Sequence, residues 1–350
     1  MENNIEQIGK RCTGCRVCEQ VCPQKCITMQ PNTEGFLYPL IDKDKCIHCG
    51  LCLKKCAQNE KYASSITPTE FNAFKNKNNA ELFRSASGGV SDVAAKVVLM
   101  NGGVVFGAAY TDELEVKHIG ISEDSDRPKL QSSKYVQSDT GDCYTQAKSY
   151  LETGRWVLFT GTPCQIDGLY HFLGKDYENL YTIDIICHGV PSPLFFKKYV
   201  EYMGKKMNGK LIEYNFRSKE KRGWGTQYLA RTKTKTKTKT RILSLDKYGR
   251  HFMAGDCYRE CCYQCQYADI HKRPGNLTIG DFWGVNKTHP EMSSELGVSS
   301  VVVNNGRGLQ LIEIMRDYAD IIPITKSDVL EKQGNLTRAT KRPESRDTFY

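Results

Sequence analysis

Apolar residues recur along this chain with two different periods, and the changes of period predict where its elements lie. Val90, Val93, Ala94, Val97 and Val98 share one helical face, and the stretch before them, Ser85-Ala86-Ser87-Gly88-Gly89, supplies serine caps and glycines. Such a start suits either a plain capped helix or an anion site built from unpaired amides and the helix dipole. There follow a strand pattern over 104–110, a helix over 139–151, a strand over 156–160, a helix over 165–173 and a strand over 180–187. This βαβ alternation predicts a parallel sheet with helices packed on it, and it puts ligand loops at the C-terminal ends of the strands. Two motifs sit at such ends, Gly161-Thr162-Pro163-Cys164-Gln165 and Ile186-Cys187-His188-Gly189, each with a cysteine where a strand gives way to a loop.

Residues 210–252 read as β-rich, and within them 231–241 alternates threonine and lysine, as a strand or hairpin arm with lysines on one face would. A further strand is expected over 298–303 and a helix over 309–318, before a polar, basic tail expected to fray. The polar stretch 58–69, with Ser64-Ser65 and Pro68, reads as a linker. The resulting division is a small domain over 1–60, a linker over 61–70, a large domain over 71–333 and a tail over 334–350.

Charge and length change this picture little. Of a net charge of +9 in 350 residues, the four lysines and two arginines of 231–241 supply six, so the rest is nearly neutral and no nucleic-acid partner is implied. A solvated edge guarded by lysines competes with an acidic-partner or nucleic-acid arm as the reading of that stretch. The longest apolar run, 97–110, is broken by Asn101-Gly102-Gly103, so no membrane span is expected. Residues 1–11 are polar and predict no signal peptide, and sixteen cysteines in clustered spacings then point to a reducing, cytoplasmic setting.

The chemistry lies in those cysteines. Cys12-x2-Cys15-x2-Cys18-x3-Cys22-Pro23 repeats after 34 residues as Cys46-x2-Cys49-x2-Cys52-x3-Cys56. Thiolates two residues apart can wrap three corners of one cubane while the fourth is carried past it, and structural zinc usually comes in separate Cys-x2-Cys pairs. The run resembles the two-cluster bacterial ferredoxins. That likeness implies one [4Fe-4S] cluster on Cys12, Cys15, Cys18 and Cys56 and another on Cys46, Cys49, Cys52 and Cys22, with 35–41 in the accompanying strand pair. Cys26 falls outside the pattern and reads as a small buried residue.

Further on, Cys257-x3-Cys261-Cys262-x2-Cys265 misses the radical S-adenosylmethionine spacing by one residue, because Gln264 stands where a third cysteine would be needed. The pair Cys262 and Cys265 supplies two ligands, and Cys164 and Cys187 are its natural completion as a third four-cysteine site. No G-x-G-x-x-G fingerprint supports a standard Rossmann site.

Six motifs in order, Ser-x-Ser-Gly-Gly (85–89), Ser-Lys-Tyr (133–135), Gly-Thr-Pro-Cys-Gln (161–165), Cys-His-Gly-Val-Pro-Ser-Pro (187–193), Cys-Tyr-x-Cys (262–265) and Ile-Gly-Asp-Phe-Trp-Gly (279–284), resemble the beta-subunit family of coenzyme F420 hydrogenase/dehydrogenase. The likeness spans about 71–330. It implies an α+β protein: a dicluster ferredoxin domain followed by an α/β flavin-binding domain with a parallel-type sheet and an added β-rich section. It also implies a third [4Fe-4S] cluster on Cys164, Cys187, Cys262 and Cys265, with Cys257 as the alternative ligand. FAD would lie against Ser87, Gly88, Gly89, Lys134, Tyr135, Gly161, Thr162, Gly280 and Asp281. His188 and Asp281 are the candidate proton donors, with packing or support of the cluster as the competing role of His188.

The resemblance further implies an iron–sulfur flavoprotein oxidoreductase that exchanges electrons between a ferredoxin-like carrier and a small organic substrate. F420, a chlorophyll-type pigment or an unassigned compound are the candidates. The alternative is an electron-transfer subunit of a larger redox complex, and many bacterial relatives lie in surface-polysaccharide gene clusters.

Overall fold

The computed structural model describes residues 3–59, 65–233 and 238–350. Its centre is an eight-stranded sheet in the order β13-β3-β12-β11-β7-β6-β4-β5. The strands are β3 (Glu70–Asn76), β4 (Val104–Tyr110), β5 (Val116–Ile121), β6 (Val157–Gly161), β7 (Leu180–Ile185), β11 (Leu277–Asp281), β12 (Ser299–Val303) and β13 (Ala319–Pro323). The four strands β11-β7-β6-β4 are parallel, and every pairing outside them is antiparallel. The expected parallel sheet is therefore a parallel centre with antiparallel flanks, and the C-terminal ends of four strands share one edge.

Successive residues of the central strands serve opposite faces, as the pleat requires. Val105 and Leu158 join Val93, Val97, Leu311 and Met315 on the face covered by α4 (Val90–Met100) and the helix Gly306–Met315. Val104, Phe106, Val157 and Phe159 join Ala147, Ile166 and Leu169 on the face covered by α5 (Cys143–Glu152) and α6 (Pro163–Leu173). Burial on both faces explains why these strands are apolar runs rather than alternations.

The β-rich section is a second, three-stranded antiparallel sheet of β8 (Leu211–Asn215), β9 (Gln227–Thr232) and β10 (Thr238–Ile242). It packs an aromatic core with α7 (Pro193–Lys206) and α8 (Lys247–Ala254). The expected hairpin thus forms, with the tip 234–237 outside the described residues, but 247–254 is helical: the Asp246 carboxylate caps it by accepting from the Tyr248 N–H.

The N-terminal module pairs β1 (Ile27–Pro31) with β2 (Leu37–Ile41), so 35–41 holds only the second strand of its pair. Two short helices, α1 (Val17–Gln20) and α2 (Leu51–Lys54), follow its cysteine loops. The tail corrects another expectation. Arg346 is buried, donates to Glu34 at 3.0 and 2.7 Å and to the Tyr258 carbonyl at 3.0 Å, and Tyr350 donates to the Cys257 carbonyl at 2.8 Å. A basic segment that finds a carboxylate on the module does not fray.

Candidate redox site

The cysteines gather at the shared strand edge and in the module docked on it. Cys22, Cys46, Cys49 and Cys52 line one small cavity of the module, with Cys26 beside them. Cys26 is buried as expected, but its Sγ lies 3.4 Å from that of Cys22, so it is a fifth thiol of this group. Cys15, Cys12 and Cys56 act together on Cys18, whose thiol is pushed well above its ordinary range first by burial and then by these neighbours. Burial likewise pushes Cys56 up to about 12. Thiols crowded and desolvated in this way suit a cationic iron cluster that displaces their protons.

The module is held by its cysteine loops. The carbonyls of Cys12, Thr13 and Cys15 accept from Arg259 Nε at 2.7 Å, Gln137 Nε2 at 2.8 Å and Thr140 Oγ1 at 3.1 Å. Arg16 forks onto Asp139, and Gln58 donates to the Tyr267 hydroxyl at 2.9 Å. Gly168 of α6 faces Cys15 so closely that a Cβ there would lie 3.1 Å from Cys15 Cβ. Because residues four apart share a helix face, Cys164 in the first turn of α6 lies on the Cys15 side one turn earlier.

Cys164, Cys187, Cys262 and Cys265 all line a second cavity, together with Cys261. Pro163 opens α6, and Gln165 Oε1 accepts from the Thr162 N–H at 3.0 Å, fixing the turn that presents Cys164. Fully buried Asp184 at the end of β7 accepts from Arg273 Nε at 3.0 Å and from the Gly275 N–H at 2.8 Å, and Arg273 Nη1 reaches the Tyr267 carbonyl at 2.9 Å. That pair ties the Cys187 strand to the turn carrying Cys265. Cys257 is absent from the cavity. It sits fully buried in the aromatic core, because the Tyr258 backbone bridges to Pro191 and turns its predecessor inward. Cys261, not Cys257, is the fifth cysteine here. Among the described residues no three His, Cys, Asp or Glu side chains close around one metal ion. Thiolates bound to separate irons of a cubane stand wider apart than the ligands of one zinc.

A larger cavity of about 470 Å³ adjoins at the same sheet edge, within the size range of cofactor sites. Ser87, Gly89, Lys134, Tyr135, Gly161, Thr162, Gly280 and Asp281 line it. Gly88 does not: a Cβ there would lie 2.1 Å from the Phe74 carbonyl, so this glycine serves the approach of the loop to β3. Ser87 spends its hydroxyl on the Val298 carbonyl at 2.7 Å. Lys134 is half-buried on the cavity wall, desolvation lowers it from 10.5 to about 7, and its Nζ donates to carbonyls, to Gln131 at 2.9 Å and Ser132 at 3.4 Å.

The two candidate proton carriers part company. Asp281 is held by Arg217 through both oxygens at 2.8 and 2.6 Å, and its Oδ1 also accepts from Trp224 Nε1 at 2.7 Å, so it positions Arg217. His188 lines both cavities. The Tyr258 hydroxyl gives its proton to the Phe252 carbonyl, so at 2.8 Å it accepts from His188 Nδ1–H, leaving the Nε2 lone pair free. Burial lowers His188 from its ordinary value, which favours this neutral form. Gly189 lets the Tyr258 ring approach, since a Cβ there would lie 2.1 Å from Tyr258 Cδ2 at a φ of +135°.

Sequence reasoning missed Arg217, His118 and Trp283 on the cavity wall. Buried His118, lowered to about 4 by desolvation, bonds Thr160 O and Ser138 Oγ at 3.0 Å each. Trp283 alone had a signal, its place in the 279–284 motif.

A dicluster module docked by its cysteine loops against the edge of an α/β sheet defines an iron–sulfur electron-transfer protein. Residues 11–59 match the 4Fe-4S dicluster domain, and residues 154–327 match the C terminus of the coenzyme F420 hydrogenase/dehydrogenase beta subunit. The chain thus carries a domain matching the C terminus of this beta subunit, with a 4Fe-4S dicluster domain ahead of it. Its fold is shared by a chain from a structure of the xenon-derivatized F420-reducing [NiFe] hydrogenase complex from Methanosarcina barkeri. The likeness covers 79% of this chain and 91% of that one, with a TM-score of 0.52 and 15% identity. No curated protein matches. Among the described residues no helix is long and apolar enough to cross a membrane.

Proposed function

We propose that this protein is an iron–sulfur flavoprotein oxidoreductase that passes electrons between a ferredoxin-type carrier and a small organic substrate. The observation that carries this reading is the wall common to two cavities: Thr162, Cys164, Cys187 and His188 line both the five-cysteine cavity and the large one. Cys12, Cys15, Cys18 and Cys56 would hold one [4Fe-4S] cluster, Cys46, Cys49, Cys52 and Cys22 a second, and Cys164, Cys187, Cys262 and Cys265 a third. Clusters exchange single electrons, whereas a flavin exchanges one or two and can pass a hydride to an organic substrate.

Within the large cavity the residues divide the work. Lys134 is the one lining cation that has no carboxylate among the described residues, and with the Gly89 start of α4 it suits the diphosphate of FAD. Arg217, pinned by Asp281 and Tyr135, keeps the Ser85–Gly89 loop in place through the Ala86 carbonyl at 3.1 Å. His188, with Nε2 free, would hold or accept the substrate proton.

A second reading, a subunit that relays electrons within a larger complex, draws on the outer end of the module. There Cys49 and Ile47 are exposed beside the module's cavity, and Leu40 on β2 is exposed as well, apolar surface suited to a protein partner.

Iron, acid-labile sulfide and extracted flavin, measured on protein purified without oxygen, test the proposal. About 12 iron and one FAD per chain are expected. About 8 iron without flavin would leave only the dicluster module and refute the active site; zinc in place of iron would refute both.

A further inference from the structure

Five arginines are buried, and four of them have carboxylate partners: Arg127 with Glu81 and Asp92, Arg217 with Asp281, Arg273 with Asp184 and Arg346 with Glu34. Arg259 is the exception. It is 0% exposed, yet among the described residues it forms no ion pair with a carboxylate. Its Nε donates to the Cys12 carbonyl at 2.7 Å, Nη1 to Gln137 Oε1 at 3.2 Å and Nη2 to the Leu37 carbonyl at 2.8 Å, and its guanidinium lies 4.1 Å from the centre of the Tyr38 ring. These neutral partners take three of its five N–H groups and leave the positive charge uncompensated. An arginine, unlike a lysine, cannot shed that charge. A buried ion without a counter-ion is unfavourable, so an anion is expected beside it.

The surroundings say which anion. Arg259 is wedged between two groups of thiols: on one side it holds the loop of Cys12 and Cys15, where a Cβ on Gly14 would lie 3.0 Å from its Nη1, and on the other it lines the cavity of Cys164, Cys187, Cys261, Cys262 and Cys265. Of the groups around it that can turn anionic, Cys12, Cys261, Tyr38 and Cys262 would hold its charge when ionised, against the burial that disfavours it. A four-thiolate [4Fe-4S] centre is anionic and gains one further negative charge with each electron taken up. We propose that Arg259 is the shared counter-ion of the two centres flanking it, the inner one of the module and the one at the sheet edge, and that it favours the reduced state of both. This rests on the cluster assignment proposed above. Each centre takes one electron from the reductant, and the fixed positive charge offsets it without a proton being moved.

The test uses holoprotein purified without oxygen, with iron counted and the three centres titrated by EPR against an electrode potential set with mediators. Arg259→Met removes the charge. Gln137→Glu keeps Arg259 but gives it a carboxylate, which neutralises it from the position now held by an amide. In both variants the reduced-to-oxidised ratio of two centres should fall at least tenfold at a fixed potential, about 59 mV for one electron, while the third stays put. Arg259→Lys, which keeps a positive charge beside the anionic centres, should bring both potentials most of the way back to the wild-type values. Unchanged potentials in iron-replete Gln137→Glu overturn the proposal even if Arg259→Met does not fold, and so does an equal shift of all three centres, the mark of general loosening. Wild-type protein lacking the third cluster would overturn the assignment itself, and the proposal with it.

Discussion

Replacing Asp281 by asparagine separates two roles that the strand-end motif could serve. Arg217 is almost wholly enclosed, its side chain 2% exposed, while that of Asp281 is 16% exposed. Taking one partner from a buried ion pair costs about 3–5 kcal/mol, because the other charge is left without compensation. Three neutral acceptors remain to Arg217, the Tyr135 hydroxyl at 3.0 Å and the carbonyls of Ala86 at 3.1 Å and Gly225 at 2.8 Å. With Asp281 also touching solvent, the low end, about 3 kcal/mol, is expected. At roughly 2–4 °C per kcal/mol for a large domain, melting should fall by about 6–12 °C. Arg217→Met with Asp281→Leu should lose less than the sum of its single variants, since no charge is then stranded. Melting curves of wild type, Asp281→Asn, the two singles and the double, read by circular dichroism without oxygen, decide it. A catalytic acid would behave in the opposite way, with turnover lost and melting kept. If Asp281→Asn melts within the scatter of wild-type replicates, the assignment of Asp281 to Arg217 is wrong.

Cys262→Ser should lose about four irons per chain, while Cys257→Ser, whose thiol lies in the aromatic core, should keep them all; iron analysis checks both. Gly168→Val would force side-chain atoms into Cys15 and the Tyr144 hydroxyl, the latter only 3.0 Å from a Cβ, and should cost about 1–3 kcal/mol by overpacking while weakening magnetic coupling between neighbouring centres in EPR. Lys134 links flavin affinity to pH. Its pKa in the ligand-free protein is lowered to about 7 and an anion raises it, so binding above pH 7 takes up a proton and affinity should fall as pH rises. Calorimetry in buffers of different ionisation enthalpy reads that proton, and Lys134→Met should abolish both it and the pH slope. Without ligand the sign reverses: between about 7 and 10.5 the unfolded chain holds more protons at this lysine, so its contribution to stability grows with pH.

The parts legible in the sequence were those whose signal is local. The βαβ core could be read because β4, β6 and β7 are buried on both faces and so stand out as apolar runs. β3 and β5 could not: β3 buries Asn72 and Asn76, and β5 carries His118 and Gly120, residues that mark turns elsewhere. Cysteine spacing picked out four of the five cysteines of the sheet-edge cavity and passed over Cys261, and nothing in it foretold that the chain turns Cys257 inward at the Tyr258 bridge. Arg259 and Arg217 had no local signal at all. Their meaning lies in partners 247 and 64 residues away, and a lone arginine looks the same in sequence whether it faces water or a buried thiol.

The way the module is held bears on what it does. A domain joined only through a linker would sample many distances, and electron exchange between its centres and the sheet edge would depend on collision. Here the carbonyls of Cys12, Thr13 and Cys15, which belong to the cysteine loop itself, are the acceptors for Arg259, Gln137 and Thr140. The peptide groups of the cysteine loop are thus fixed by side chains of the large domain, one of which, Arg259, lines the five-cysteine cavity, and α6 backs both through Cys164 and Gly168. Precision of this kind comes from placing a site on rigid elements. It also fixes the order of the thiol groups, from the exposed Cys49 end through the Cys12 and Cys15 loop to the cavity wall at Cys164 and Cys187. Hence a change that loosens the docking without touching a cysteine, such as Gly168→Val, should act on communication between the centres before it acts on their iron content.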